Sequence, residues 1–197
     1  VRDPAEGPPP GGPPPPRDES LPERATLPLP APASVPSPAI PAEPPRFYLL
    51  VGIPGSGKTT YARRHLPEAL RVSFDDFRLM LTGVAFDRAH EPYVVAAAHA
   101  TLRALLARVR RWRRDVVLDA TNVTRARRRF YIALAHRRGI PAIAVYLSCP
   151  LDLALARNRQ RPAAVPELAV RRFYAALQPP ALDEGFAAVY VVTSATE

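Results

Sequence analysis

An α/β fold is what this sequence predicts: a three-layer sandwich with a parallel five-stranded sheet flanked by helices. Two observations carry the expectation. From residue 46 onward, short apolar runs alternate with longer segments in which apolar residues recur at steps of three or four. Strands that alternate with helices imply a parallel sheet with right-handed crossovers. The polar residues that draw notice also all follow apolar runs: Gly52 to Thr59, Asp75 and Asp76, and Asp119 to Asn122. Ligands of open parallel sheets bind at the carboxyl ends of the strands, so this placement is what such a fold requires.

The elements follow in order. "RFYLLVG", Arg46 to Gly52, is an apolar run closed by glycine and predicts the first strand. Lys58 to Leu66 opens a helix that Pro67 closes. "LRVSF", Leu70 to Phe74, predicts a second strand. "DDFRLML", Asp75 to Leu81, starts with acids and turns helical, as helix N-termini do. A long helix is expected from Glu91 to Arg114, with Val95, Ala98, Leu102, Leu105 and Val109 on one stripe. "DVVLDAT", Asp115 to Thr121, is a third strand, and Thr124 to Arg138 a helix ended by Gly139. "IPAIAVYLS", Ile140 to Ser148, is a fourth strand. Helices are expected at Leu151–Arg159 and Glu167–Leu177, and "AAVYVV", Ala187 to Val192, is the last strand.

Residues 1–45 differ in kind. They hold 17 of the 26 prolines and almost no aromatic or β-branched residues. Such a segment buries too little surface to offset its ordering entropy, so a disordered, proline-rich N-terminal tail is expected ahead of a domain at 46–197. "GPPPGGPPPP", Gly7 to Pro16, admits two readings: a flexible linker, or a ligand for an SH3-type protein partner. Charge divides the same way, net −3 in the tail (3 basic, 6 acidic) and net +12 in the domain (24 basic, 12 acidic). A basic domain suits an anionic partner such as nucleotide or nucleic acid, although a generally arginine-rich composition has the same effect. Cys149 is the single cysteine, which rules out an internal disulfide and suits a small core residue in a reducing compartment. No apolar run approaches membrane-spanning length, and no signal-peptide core is present, so a cytoplasmic location is expected.

The chemistry begins at "GIPGSGKT", Gly52 to Thr59, which fits G-x-x-x-x-G-K-[ST] between a strand and a helix. Glycines let the backbone wrap a phosphate with its N–H groups inward, and the helix N-terminus adds partial positive charge. Gly52, Pro54, Gly55, Ser56, Gly57, Lys58, Thr59 and Thr60 are the candidate nucleotide-binding residues. Lys58 reaches the β- and γ-phosphates of ATP, and the Thr59 hydroxyl holds Mg²⁺. Lys58 is also the only lysine; the other 26 basic residues of the Lys and Arg total are arginine.

Three further runs accompany it. "SFDDFR", Ser73 to Arg78, offers Asp75 to accept the proton of an attacking hydroxyl, and Arg78 one turn on to clamp an anion. A helix cap with an acidic first turn explains the two aspartates equally well. "VVLDATN", Val116 to Asn122, ends an apolar strand in Asp119, placed to hold Mg²⁺ or position the acceptor; a plain strand-end turn is the alternative. "RNRQRPAAVP", Arg157 to Pro166, sets Arg157 and Arg161 on one helix face before two prolines. It reads as a mobile arginine lid over a transferring phosphate, or as a solvated basic face. Trp112 among arginines reads as the polar end of a packed helix rather than a base-stacking site, and "ALDEGF", Ala181 to Phe186, as a candidate adenine contact.

The sequence GIPGSGKTT, then SFDDFR, DATN and RN-x-x-R-x-x-x-VP, resembles the 5′-kinase domain of phage-type polynucleotide kinases over residues 46–192. The resemblance implies a P-loop NTPase fold with an arginine lid and ATP- and Mg²⁺-dependent phosphoryl transfer to the 5′-OH of DNA or RNA. It makes Asp75 the general base, puts Arg78 on the phosphate beside it, and sets Lys58, Arg161 and Arg157 on the donor phosphates. Thr59 and Asp119 would hold the metal, with Asp119, Asn122 and Arg127 on the acceptor side. The phage enzymes carry a phosphatase domain after the kinase, and none is expected here. The same motifs occur in bacterial P-loop proteins labelled only as ATPases. A sugar or nucleoside kinase, and an ATP-binding module that works through protein partners, therefore remain open as alternatives.

Overall fold

The computed structural model describes residues 44–193. The expected proline-rich tail lies outside the described residues. Five strands form one parallel sheet: β1 (Phe47–Val51), β2 (Leu70–Ser73), β3 (Val116–Asp119), β4 (Ala142–Ser148) and β5 (Ala188–Thr193). Their spatial order is β2-β3-β1-β4-β5. The chain leaves β1 in one direction and later returns to its other side, so the sheet reverses its winding at β1. That reversal opens a crevice at the carboxyl end of β1, where the glycine-rich run begins.

Six α-helices connect the strands: α1 (Lys58–His65), α2 (Phe74–Thr82), α3 (Glu91–Trp112), α4 (Arg125–His136), α5 (Leu151–Arg159) and α6 (Glu167–Ala175). Alternation along β1 divides the core into two layers. Phe47 and Leu49 face one side and pack with Val72, Leu118, Leu102 and Leu106 of α3, and Tyr131 and Ile132 of α4. Tyr48 and Leu50 face the other side and pack with Val117, Val145, Leu147 and Ala62 of α1. A third cluster, Ile53, Val123, Cys149, Ala154, Leu155 and Val170, fixes α5 and α6 against the loops at the carboxyl ends of the strands. This last cluster sets the floor of the site, and Cys149 is buried in it.

All five strands and six helices fall within a few residues of the sequence expectation. The exception is a short 3₁₀ turn at Leu182–Glu184, inside the run read as a candidate adenine contact. Trp112 is the final residue of α3 and half-exposed, as expected of a polar helix end.

Candidate active site

The glycine-rich run builds the first wall of the site. Gly55 has φ +83°, and a Cβ there would stand 2.2 Å from the carbonyl oxygen of Ala154 in α5. Only glycine lets the loop pass that close to the helix. Gly57 has φ +93° with open space where a side chain would go, so its constraint is the left-handed backbone that turns the loop into α1. The amide of Gly52 donates to the carbonyl of Thr121 at 3.0 Å, tying the loop to the chain after β3. Ser56 is buried, and its Oγ has no partner among the described residues.

Lys58 is the first residue of α1 and almost wholly buried. Its Nζ donates to the carbonyl of Ile53 at 2.7 Å, so the ammonium lies across the mouth of its own loop. Burial pulls its pKa down from 10.5 to about 8, against the opposing pull of Asp119 and Asp75, while Arg161 lowers it further. Three side chains from β3, α2 and the segment after α5 thus act on Lys58.

Next in chain order along the helix, the Thr59 hydroxyl donates to Asp119 Oδ2 at 2.8 Å. Asp119 is the last residue of β3 and buried. A hydroxyl and a carboxylate are hard oxygen donors, and this pair fits a magnesium ion whose shell is completed by phosphate and water oxygens. Among the described residues no cluster of three or more His, Cys, Asp or Glu offers a fuller cage. The same Asp119 oxygen accepts a hydrogen bond from Arg71 Nη1 at 2.8 Å, and Arg71 Nη2 also pairs with Asp76. Sequence reading missed Arg71, which looked like one charged residue in a short strand.

Asp75 stands in the first turn of α2. Ser73 caps that helix, its Oγ accepting from the amide of Asp76 at 3.3 Å. The cap is therefore Ser73, which leaves the Asp75 carboxylate outside the capping role. One Asp75 oxygen accepts from Arg78 Nη1 at 2.6 Å, and the other accepts from Arg161 Nη2 at 3.3 Å. Arg78 is in turn gripped by both oxygens of Glu91, at 2.6 and 3.0 Å, from the start of α3. Glu91 was another residue invisible to the sequence reading, since 13 residues separate it from Arg78.

The arginine segment is stapled rather than open. Asn158 is buried, and its side-chain amide bonds both the carbonyl and the amide of Val165, at 2.7 and 3.1 Å. This closes the turn that carries Arg161 toward Asp75. Arg157 is half-buried on α5 and makes no ion pair among the described residues.

Asn122 takes a different place from the expected acceptor side. It is fully buried with φ +47°, and its Nδ2 donates to the carbonyl of Leu50 at 2.8 Å. Its amide thus holds the loop after β3 onto β1. Arg127 is exposed on α4, with its guanidinium 5.7 Å over the ring of Phe74, the neighbour of Asp75. Arg127 also lines a cavity of about 330 Å³ between the start of α4 and α6, with Thr121, Thr124, Arg172 and Phe173. The candidate adenine run instead forms a clamp. Glu184 is bound by both ends of the buried Arg128 guanidinium, at 2.6 and 2.8 Å, and accepts from the amide of Ala181 at 3.0 Å.

A family model described as "AAA domain" matches residues 48–180, the span that contains every element of this site. The chain belongs to the AAA domain family. This AAA domain has the fold of P-loop kinases, and nucleotide binding follows from that fold. No curated protein sequence matches the chain significantly. Among solved structures, a chain of the Pnkp1/Rnl/Hen1 RNA repair complex is 26% identical, with a TM-score of 0.58 over 68% of this chain and 44% of that one. This AAA domain therefore spans less than half the length of that relative. A sugar kinase from Janibacter sp. HTCC2649 is 20% identical, with a TM-score of 0.53 over 76% of this chain and 86% of that one. A gluconokinase from Sinorhizobium meliloti 1021 is 17% identical, with a TM-score of 0.50 over 78% and 85%. These last two show likeness of fold alone.

Proposed function

We propose that this AAA domain is an ATP- and Mg²⁺-dependent kinase that phosphorylates the 5′-OH end of a nucleic acid. The single observation that carries the reading is the Asp75 carboxylate. It lies between Arg78 and Arg161 and acts electrostatically on Lys58 of the phosphate cradle. The contact of Asp75 with Arg161 and its influence on Lys58 support a proton acceptor and a lid cation beside a phosphate cradle.

Asp75 takes the proton of the acceptor hydroxyl as its oxygen bonds to the γ-phosphorus. The bond from that phosphorus to the β–γ bridging oxygen breaks, and ADP leaves with the electron pair. Lys58 stays on the β- and γ-oxygens, while Arg161 exchanges Asp75 for the transferring group and neutralises its charge. Thr59 and Asp119 would hold magnesium, which shields the phosphate oxygens when bound. Arg78, fixed by Glu91 and bonded to Asp75, would meet the phosphate next to the acceptor hydroxyl. The open cleft lined by Arg127, Arg172 and Phe173 offers the nucleoside that carries the hydroxyl a wall to lie against.

The test is transfer of label from γ-labelled ATP to 5′-OH oligonucleotides. Asp75→Asn is expected to bind nucleotide normally and to lose roughly 10²- to 10⁴-fold in transfer. Unchanged transfer by that variant would remove Asp75 from the base role. The cavity, at about 330 Å³, would also hold a free sugar or nucleoside. Label appearing on those and on no oligonucleotide would select a small-molecule kinase instead.

A further inference from the structure

Outside the site, one face of the domain has a composition of its own. Between Glu91 and Asp115 there is no carboxylate, nor between Asp119 and Asp152. The first interval contains α3 and the second contains α4, and the two helices pack side by side on the same sheet face. Their shared surface carries a chain of rings. His99 of α3 meets Phe74 edge-on at 5.9 Å and Phe130 of α4 at 5.0 Å, and its Nε2 shares a 3.1 Å hydrogen bond with the Tyr131 hydroxyl. Phe130 is 41% exposed, although it is a large aromatic in the middle of a well-formed helix. The Arg103 guanidinium lies 5.9 Å over the Phe130 ring, and that of Arg127 lies 5.7 Å over Phe74. Neither arginine has an ion-pair partner among the described residues, in contrast to Arg125 and Arg128 of the same helix.

We propose that Phe130, flanked by Arg103 and Arg127, is a stacking platform on which single-stranded nucleic acid rests as its 5′ end enters the site. The proposal rests on the kinase reading above and names the part of the acceptor beyond the reacting nucleotide. The occupant is argued from three properties. An exposed ring with an arginine over it offers a base a face to stack on and a cation beside its phosphate. Beyond Glu91, α3 and α4 contribute no carboxylate of their own, so these two helices add nothing that repels a polyanion. Arg127 lines the cleft between α4 and α6 and also lies over Phe74, the neighbour of Asp75, so it links the ring cluster to the cleft where we set the 5′ nucleoside. His99 fits the same role. Burial, with Arg103 and Arg127 beside it, lowers its pKa, which keeps the ring neutral between them.

The experiment is fluorescence anisotropy of a labelled 5′-OH dT12 strand without nucleotide, paired with kinetics on dT12 and on a nucleoside 3′-monophosphate. Phe130→Ala is expected to weaken dT12 binding about tenfold. It should raise KM for dT12 with kcat little changed, so that preference for dT12 over the monophosphate falls. Phe130→Trp should restore binding. Arg103→Gln should weaken it and flatten its salt dependence by about 0.7 in log–log slope. Both positions are exposed, and melting curves should confirm that both variants stay folded. Wild-type affinity for dT12 in Phe130→Ala and Arg103→Gln would overturn the proposal. So would displacement of dT12 by an oligoglutamate of equal charge as readily as by unlabelled dT12, which would make this a protein-facing or unselective basic patch. Phe130-dependent binding of dT12 without phosphate transfer to any 5′-OH would uphold the platform and defeat the kinase reading. Transfer to the monophosphate without Phe130-dependent strand binding would do the reverse.

Discussion

Lys58 shows how much one side chain is asked to do. It is a buried ammonium whose only direct partner among the described residues is a carbonyl oxygen, and its pKa falls from 10.5 to about 8. Between these values the unfolded chain binds more protons than the folded one. The free protein therefore gains stability from this residue as pH rises from about 8 to 10.5. Nucleotide binding follows the opposite sign, because polyphosphate favours the charged ammonium. Affinity for ATP is expected to fall as pH rises through 8, with proton uptake on binding, which calorimetry in buffers of different ionisation enthalpy measures directly. Lys58→Arg replaces a compact cation by a planar fork in a loop already closed against α5. Transfer should drop by two orders of magnitude or more in a labelling assay. Arg71 presents the converse case. It shares the Asp119 oxygen with Thr59, so a positive side chain already sits where a magnesium ligand is expected.

At the scale of elements, the clearest dependence is of the loop after β3 on a buried ion pair. Arg128 and Glu184 are both sealed from solvent, and Arg128 also donates to the carbonyls of Asn122, Val123 and Gln178. Arg128→Met strips the buried Glu184 of its bidentate partner and leaves it the Ala181 amide and a longer, 3.7 Å pairing with Arg125. A loss of about 3–5 kcal/mol in chemical denaturation is expected, with much of it recovered on adding Glu184→Leu. This clamp also marks the limit of what sequence conveys. Helices such as α3 were legible because an apolar stripe repeats with the helical period, and β1 and β4 because a run of buried residues ends at glycine or at Cys-Pro. The glycine loop, Asp75 and Asp119 drew notice because each follows a strand, and Arg161 because it stands four residues after Arg157 ahead of two prolines. Arg128, Glu91 and Arg71 were not. Each looks like an ordinary surface charge until its partner, 56, 13 or 48 residues away, is brought beside it by the fold. Asn122 misled for a related reason. It follows the strand end as a site residue should, yet its amide is spent on Leu50.

For the molecule as a whole, the sheet order β2-β3-β1-β4-β5 matters because it brings β1, β2 and β3 to one edge of the crevice. The glycine-rich loop, Asp75 and Asp119 stand at the carboxyl ends of these three strands. Nucleotide should therefore act as a clamp on the folded state. At a hundredfold excess over Kd, ATP with magnesium is expected to stabilise the domain by about 2.7 kcal/mol, read as a rise in Tm. Removing magnesium with chelator should shrink that rise, and Asp119→Asn should make it insensitive to the chelator. No helix among the described residues is long and apolar enough to cross a membrane, and of the 24 basic residues behind the net charge of +12 over residues 46–197 all but one are arginine. That choice of arginine has a chemical outcome. These 197 residues carry a single ε-amine, and it sits under the phosphate-binding loop. An amine-selective acylating reagent has one side chain to modify, and ATP should shield it. Mass spectrometry of the peptide that contains Lys58 would then report the fraction of empty sites, with no engineered label.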